Sequence, residues 1–293
     1  MLNRIVTYWR ELDRQAVSSL FVKGLYALLL WYVLKSFSIW DILYGPENLS
    51  ILMNPYEGID KLAMLFNIES IRVYYMPVLL IFVGLLLFGL FRKTNVVTRL
   101  AVWYLFLLLH FANFETSTGG HHLVQQVLFL HIFLLDYSGE GPYTGVKKHI
   151  HHLAHYAIWV QIAILYAVSG GFKLLGTDWL QGEAMLMSLS FKEFGFLWLS
   201  ESLQQNNIFL MSLTWIVLGY QVLFPVLIWV ARIRGPFLLV GLIFHLSVLF
   251  VVGIVDFGLF MVVSYLIFLS SDSYVFETID KIRARLPKSY LRR

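Results

Sequence analysis

Four side chains able to move protons interrupt apolar sequence: His121, His122, Lys173 and His245. An imidazole can accept or donate a proton near neutral pH, and an amine can act as a base once it is uncharged. Acidic and aromatic residues stand near them in the sequence: Glu115, Asp178 with Trp179, and Asp256. Ionisable groups in apolar segments are costly and are retained mainly for function. Each position also suits a plainer role. Lys173 can snorkel to a membrane interface, His121 and His122 can cap a helix, and His245 can bond a neighbouring helix. A second group, His149, His151, His152 and His155, includes spacings of three and four that share one helix face. Imidazoles so spaced can ligate a metal, but membrane di-iron centres need several such boxes. His121-His122 falls at the other end of its span, and His131 stands alone between the two groups. No metal site is expected, and the group reads as an interfacial, partly cationic anchor. With no cysteine in the chain, thiolate chemistry and disulfides are excluded. No Ser-His-Asp order, phosphate-cradling glycine loop or dinucleotide fingerprint is visible.

The elements that carry these residues follow from composition. Of 293 residues, 59% are hydrophobic and 14% charged, with a mean hydropathy of +0.72. Soluble domains carry about 25% charged residues, so lipid is the solvent expected here. The apolar runs Leu20–Ile39, Tyr75–Phe91, Val97–Asn113, Leu123–Tyr137, Leu153–Phe172, Phe209–Val230, Phe237–Val252 and Val255–Leu269 predict an all-α polytopic transmembrane bundle of about eight spans. The first run is read as a retained span, not a cleaved signal. Residues 1–293 form a single transmembrane domain, ending in a basic segment over about 272–293.

Lys and Arg set the orientation. With the N-terminus inside, 17 of the 22 basic residues fall on the inner side or at inner helix ends, among them Arg14, Arg92, Lys93, Arg99, Lys147, Lys148, Arg232 and Arg234. The positive-inside rule then predicts both termini in. Lys35 falls within the first run. The stretches 41–73 and 176–208 lie outside and are expected to cap the bundle or lie along its surface. On this topology His110, Asn113, Glu115, His121, His122, Lys173, Asp178, Trp179, His245 and Asp256 converge from five spans on the outer face. That predicts an outward-opening polar pocket. The expected partners are the bilayer and a peptide or membrane protein, with no nucleic acid.

The run from Tyr166 to Met185, with Ser169-Gly170-Gly171, Lys173-Leu174, Asp178-Trp179 and Gly182, resembles the signature of the HTTM family, membrane proteins related to vitamin K-dependent γ-carboxylase. Gly120-His121-His122, followed by an apolar run to Asp136, is similar to a histidine-bearing stretch of that enzyme, and His121 is the better match. Phe244-His245, leading to Gly253 and Phe257, resembles a later Phe-His motif. The likeness covers roughly Val97 to Ser271.

The resemblance implies that Lys173 is a base that deprotonates a quinol, with His121 orienting it or polarising its oxygen. Such a base must be neutral, and an apolar setting such as Phe172 and Leu174 lowers a lysine pKa. The large luminal portion of the animal carboxylase has no counterpart here. The Lys173-to-Trp179 interval instead resembles small bacterial members, including the B-type proteins that mature a sporulation-delaying toxin. The resemblance therefore implies a bacterial cytoplasmic-membrane protein, with two functions left open. One is carboxylase-like or quinol-linked catalysis. The other is non-catalytic assistance to peptide maturation, export or assembly. The topology is testable in this cysteine-free chain: Ser117→Cys should react with an impermeant thiol reagent in intact cells and Ser289→Cys should not. External labelling of Ser289→Cys would exclude a cytoplasmic C-terminus.

Overall fold

The computed structural model describes residues 14–46, 73–113, 117–138, 141–190 and 202–269. Among these, regular structure is entirely helical: α1 (Arg14–Lys35), α2 (Trp40–Tyr44), α3 (Tyr75–Phe91), α4 (Val96–Ala112), α5 (Gly119–His131), α6 (Thr144–Leu174), α7 (Thr177–Gln181), α8 (Ala184–Ser190), α9 (Asn207–Leu227), α10 (Ala231–Ser247) and α11 (Val255–Ser264). A π-helical turn, Val248–Val252, extends α10, and a 3₁₀ turn, Tyr265–Phe268, extends α11. Four helices are long and apolar enough to cross a membrane: Arg14–Lys35, Thr144–Leu174, Asn207–Leu227 and Ala231–Val252. Tyr75–Phe91, Val96–Ala112 and Val255–Phe268 are apolar but shorter. Glu115 and the basic tail lie outside the described residues.

Each apolar run contains a helix, but local chemistry sets the boundaries. The run Leu123–Tyr137 is shifted at both ends, because its helix begins at Gly119 and stops at His131. Thr118 starts it through a reciprocal capping box with His121. Its end is fixed by Arg99 on α4, which donates to the backbone oxygens of His131, at 3.2 Å, and Leu134. Last-turn carbonyls have no partner within their own helix, and away from water they need one from elsewhere. At 13 residues α5 is about 20 Å long, shorter than the roughly 30 Å hydrocarbon layer. By contrast α6, at 31 residues, reaches about 46 Å, so its first turns, with Lys147, Lys148 and His149, have room to project beyond such a layer. Asparagines start two further helices: the Asn95 side chain accepts from Thr98 N at 2.8 Å, and that of Asn206 from Phe209 N at 3.0 Å.

Helix α1 lies against α3, α11 and the start of α6, and α6 packs along α9. The core is aromatic and aliphatic, with Tyr26, Leu29, Leu79, Phe82, Leu86, Ile158, Trp159 and Phe224 fully buried. The surface is apolar as well: Leu80, Val97, Leu153, Phe172, Val226 and Ile243 all stand exposed. Such a surface suits a lipid solvent rather than water. The short α7 and α8 are pinned to α9, since Thr214 Oγ1 donates to Gly182 O at 3.1 Å and Trp215 Nε1 to Leu180 O at 3.3 Å.

Contacts sort polar residues into two ends. At one, Gln15 and Lys93 donate to Asp136, Arg14 stacks over Tyr156 and Arg234 over Trp159. At the other, Lys35 pairs with Asp256 and His110 bonds Ser117. Between them the helices approach closely at Gly89, where an added Cβ would penetrate the Tyr26 ring. That ring is held by Tyr26 Oη···His131 Nε2 at 3.0 Å. Gly89→Ala should therefore lower thermal stability in detergent by about 1–3 kcal/mol, whereas Gly84→Ala, which meets nothing within 4 Å, should not.

Candidate functional site

Beneath the Lys35–Asp256 end, four elements meet in a buried hydroxyl–imidazole chain. Tyr166 on α6 bonds His245 Nε2 on α10 at 2.5 Å and Tyr265 Oη, in the turn after α11, at 2.5 Å. Tyr265 Oη bonds Tyr220 Oη of α9 at 2.9 Å. Three hydroxyl hydrogens serve three bonds. Running the chain Tyr220→Tyr265→Tyr166→His245 Nε2 satisfies all of them and leaves the neutral imidazole's proton on Nδ1. That Nδ1 is buried and has no hydrogen-bond partner. Space for the hydroxyls comes from Gly241, where a Cβ would overlap both Tyr220 Oη and Tyr265 Oη. Phe224 and Phe237 wall the chain, Phe224 stacking on Tyr166 at 3.9 Å and Phe237 on Tyr220 at 4.6 Å.

His121 is presented differently. The Thr118 N–H donates to its Nδ1 at 2.9 Å, which fixes Nδ1 as acceptor and, in the neutral ring, leaves the proton on Nε2. This Nε2 is also buried without a hydrogen-bond partner. The ring packs edge-on to Tyr32 at 4.8 Å and Phe260 at 5.2 Å, and stacks toward His110 at 6.1 Å. His122, next in sequence, turns outward and is exposed, meeting the His110 ring edge-on at 5.2 Å.

Both buried histidines lie on the start of α11. Phe257 reaches the His245 ring at 5.7 Å, while Phe260 reaches His121. Small residues permit the approach: a Cβ at Gly120 would lie 3.2 Å from Phe257 Cα, and one at Gly258 would lie 2.9 Å from the His245 carbonyl. Asp256, in the first turn of α11, is half-buried and paired with Lys35, whose ammonium also lies over Trp31 at 4.9 Å and Tyr32 at 5.1 Å.

Lys173 occupies the last turn of α6 and is half-buried. Its amine donates to Ser169 Oγ at 2.9 Å and lies 4.9 Å from the Trp179 ring centre. Ser169 in turn donates to Gln221 Oε1 at 3.1 Å, beside Tyr220 in sequence. Tyr166 is seven residues, or about 10 Å, down the same face of α6. Asp178, in the first turn of α7, is half-buried near Trp179. Among the described residues no carboxylate pairs with Lys173. Thus Trp179 is brought onto Lys173, and His121, His245 and Asp256 gather around α11. Lys173 bonds Ser169 rather than either histidine, and Ser169 and Gln221 link it toward the tyrosine chain.

The chain matches no protein-family model, no curated protein and no solved structure. The site is therefore defined by its geometry alone.

In the imidazole group on α6, both nitrogens of His151 and Nδ1 of His155 are engaged, while His152 Nε2 and His155 Nε2 are buried without a hydrogen bond. Ser18 Oγ sits between His155 Nδ1, at 2.9 Å, and His151 Nε2, at 3.0 Å, while His151 Nδ1 reaches Leu135 O at 2.7 Å. Among the described residues no set of three His, Asp or Glu side chains could hold a metal. The spacing that suggested ligation instead joins α1 to α6 through one hydroxyl.

Sequence reasoning missed Lys35 as a site residue, as well as Tyr166, Tyr220 and Tyr265. Lys35 looked like an isolated charge within the first run. The tyrosines are three of 16 and share no spacing, so only the helix packing could single them out. Tyr265→Phe keeps the ring but removes the hydroxyl that joins the other two. It should lower stability in detergent by about 1–3 kcal/mol through the unsatisfied Tyr220 hydroxyl, relative to Tyr74→Phe at an exposed position.

Proposed function

We propose that this chain is a multi-pass protein of the bacterial cytoplasmic membrane, with about eight spans and both termini inside, that carries out acid–base chemistry at its outer end. The HTTM resemblance supplies the family and the reaction class: carboxylase-like or quinol-linked chemistry on a peptide or a lipid-soluble substrate. One observation carries the reading beyond resemblance. Two buried imidazole nitrogens, His121 Nε2 and His245 Nδ1, lack partners beside the same stretch of α11. Burying a polar group without a partner costs about 1–3 kcal/mol, and such atoms call for a ligand or a mechanistic role.

In the tautomers their bonds select, both nitrogens present N–H donors. Such donors bind carbonyl or anionic oxygen, and stabilise negative charge where it forms beside them. A quinol fits this donor set through its oxygens, and when bound it would supply a dissociable hydroxyl. Lys173 is the base in this scheme. Its amine holds a serine hydroxyl and an aromatic face rather than a carboxylate, so no ion pair among the described residues fixes its positive charge. Lys35 is unsuited to the same task because it is already paired with Asp256. The Ser169–Gln221 pair orients the Lys173 amine, and the tyrosine chain fixes the His245 ring. Asp178 and Trp179 complete the proposed pocket lining, while His122 stands at its rim; Glu115, a candidate by sequence, lies outside the described residues.

A second reading is non-catalytic: the same pocket holds a secreted peptide or membrane partner during maturation or export. The two make different demands on Lys173. A base must lose its proton, which arginine effectively cannot do. Lys173→Arg should abolish peptide maturation in the native host as fully as Lys173→Ala, with normal expression and membrane insertion. Full activity in the arginine variant would refute the base and leave an interfacial anchor. Loss in alanine with rescue by arginine would favour the second reading, with a fixed positive charge holding a carboxylate.

A further inference from the structure

The opposite end of the bundle contains an open cavity of about 320 Å³, lined by Lys93, Thr94, Asn95, Val96, Arg99, Leu135, Asp136 and Lys147. It lies where the α3–α4 turn, the first turn of α4, the chain after α5 and the start of α6 meet. Three cations, Lys93, Arg99 and Lys147, face it against one carboxylate, Asp136. The N-terminus of the 17-residue α4 opens on the same space, adding the partial positive charge of its first turn.

These charges are not equally committed. Arg99 is held by the carbonyls of His131 and Leu134 and by Thr94 Oγ1 at 2.9 Å. Asp136 accepts from Gln15, from Ser138 N at 2.9 Å, from Ser138 Oγ at 2.6 Å and from Lys93 at 2.7 Å. Burial opposes ionisation of Asp136, but the hydrogen bonds from Lys93, Ser138 and Gln15 outweigh it and hold the carboxyl below the usual carboxylate range. It therefore keeps hydrogen bonds from Gln15 and Ser138 if Lys93 turns away, and the Lys93 side chain, which also donates to Ser138 Oγ at 3.2 Å, is 76% exposed. Lys147 is exposed on the first turn of α6.

Beside the cavity begins an apolar stripe that no part of the described protein covers. Val97, Leu100 and Tyr104 repeat at helical spacing on the outer face of α4 and are 73%, 47% and 39% exposed. The cationic cavity and the stripe are continuous, since Val96 and Arg99 line one while Val97 and Leu100 begin the other.

We propose that this cavity binds the phosphate of an anionic phospholipid, with the acyl chains laid along Val97, Leu100 and Tyr104. Lys93 and Lys147 contact the phosphate oxygens and Arg99 supplies fixed positive charge behind them. The volume is at the small end for ligand pockets and suits a compact headgroup. Basic pockets between helices on the cytoplasmic side take such headgroups. A free phosphate would use the cations but leave the stripe without a role. The inference rests on the lipid-facing surface and is independent of the chemistry proposed at the other end.

The test uses the full-length protein in neutral detergent, titrated with short-chain phosphatidylglycerol, short-chain phosphatidylcholine or inorganic phosphate and followed by tryptophan fluorescence. Saturable binding of phosphatidylglycerol alone is expected. The double variant Lys93→Gln/Lys147→Gln should weaken it roughly tenfold or more. Lys148→Gln, exposed one residue away and outside the cavity lining, should change it less than about twofold. Val97→Gln/Leu100→Gln should also weaken it. Equal losses in Lys148→Gln and the double variant would mean diffuse attraction and overturn the site. Phosphate binding as tight as the lipid, or tight phosphatidylcholine binding, would overturn the anionic-lipid assignment. Maturation activity is not read in this experiment, so its failure leaves the proposal for Lys173 standing.

Discussion

A polar group in an apolar solvent must find its partner inside the protein, and the rest of this structure is arranged around that constraint. In water an unmatched carbonyl or hydroxyl turns to the solvent. Here Arg99 leaves the surface to take the carbonyls at the end of α5, and Tyr26 reaches through the bundle to His131. Ser18 is shared between His151 and His155. Each bond joins different helices, so satisfying a polar atom also fixes a helix pair in register. Dispersion alone would let apolar helices slide, because lipid tails and leucine side chains are chemically alike.

The same constraint makes exceptions informative. At the end with Arg14, Lys93, Arg99 and Arg234, cations lie over aromatic faces or bond carbonyls and Asp136, although His152 Nε2 and His155 Nε2 are buried there without a hydrogen bond. At the other end, the geometry that satisfies one nitrogen of His121 and of His245 leaves the second nitrogen of each exposed to nothing. The partnered nitrogen chooses the tautomer, and the tautomer decides that the bare nitrogen is a donor. A capping box and a tyrosine chain therefore do more than stabilise helices, because they set the hydrogen-bonding character of the two buried imidazoles.

Much of this was legible in the sequence. Runs of apolar residues located every long helix, because lipid demands length and apolarity that few other settings do. Alternating helix direction led to the expectation that His110, His121, Lys173, His245 and Asp256 share one end; in the structure His121, His245 and Asp256 lie beside α11, while Lys173 bonds Ser169 and faces Trp179. Other features were not legible, for physical reasons. The end of α5 at His131 depends on a guanidinium 32 residues away, so the apolar run to Tyr137 overstated the helix. Nothing near Lys35 in the first run marks its partner, Asp256, which is 221 residues distant. The spacing of His151 and His155 correctly placed them on one helix face, yet it carried no information about Ser18 on α1. Periodicity reports which face a residue occupies; it does not report what that face meets.

Lys35 and Lys173 show how partner choice separates two identical side chains at one end of a bundle. Lys35 has a carboxylate partner, and the pair ties the end of α1 to the start of α11, beside both histidines. Lys173 is held by a neutral hydroxyl and an aromatic face. The aromatic face favours the cation, but a serine hydroxyl can receive a hydrogen bond from an ammonium or offer one to an amine. Ser169 can therefore serve Lys173 in both protonation states, because Gln221 Oε1 accepts its hydrogen in one state and can release it in the other. A structural lysine gains nothing from a partner that tolerates both states, whereas a base that must give up and regain a proton does. The arrangement is also stiff where it matters. Gly170 packs so near the α9 backbone that a Cβ would lie 3.1 Å from Val222 N, which brings Ser169 within reach of Gln221. The close approach of α6 and α9 thus fixes the hydroxyl, and the hydroxyl fixes the amine.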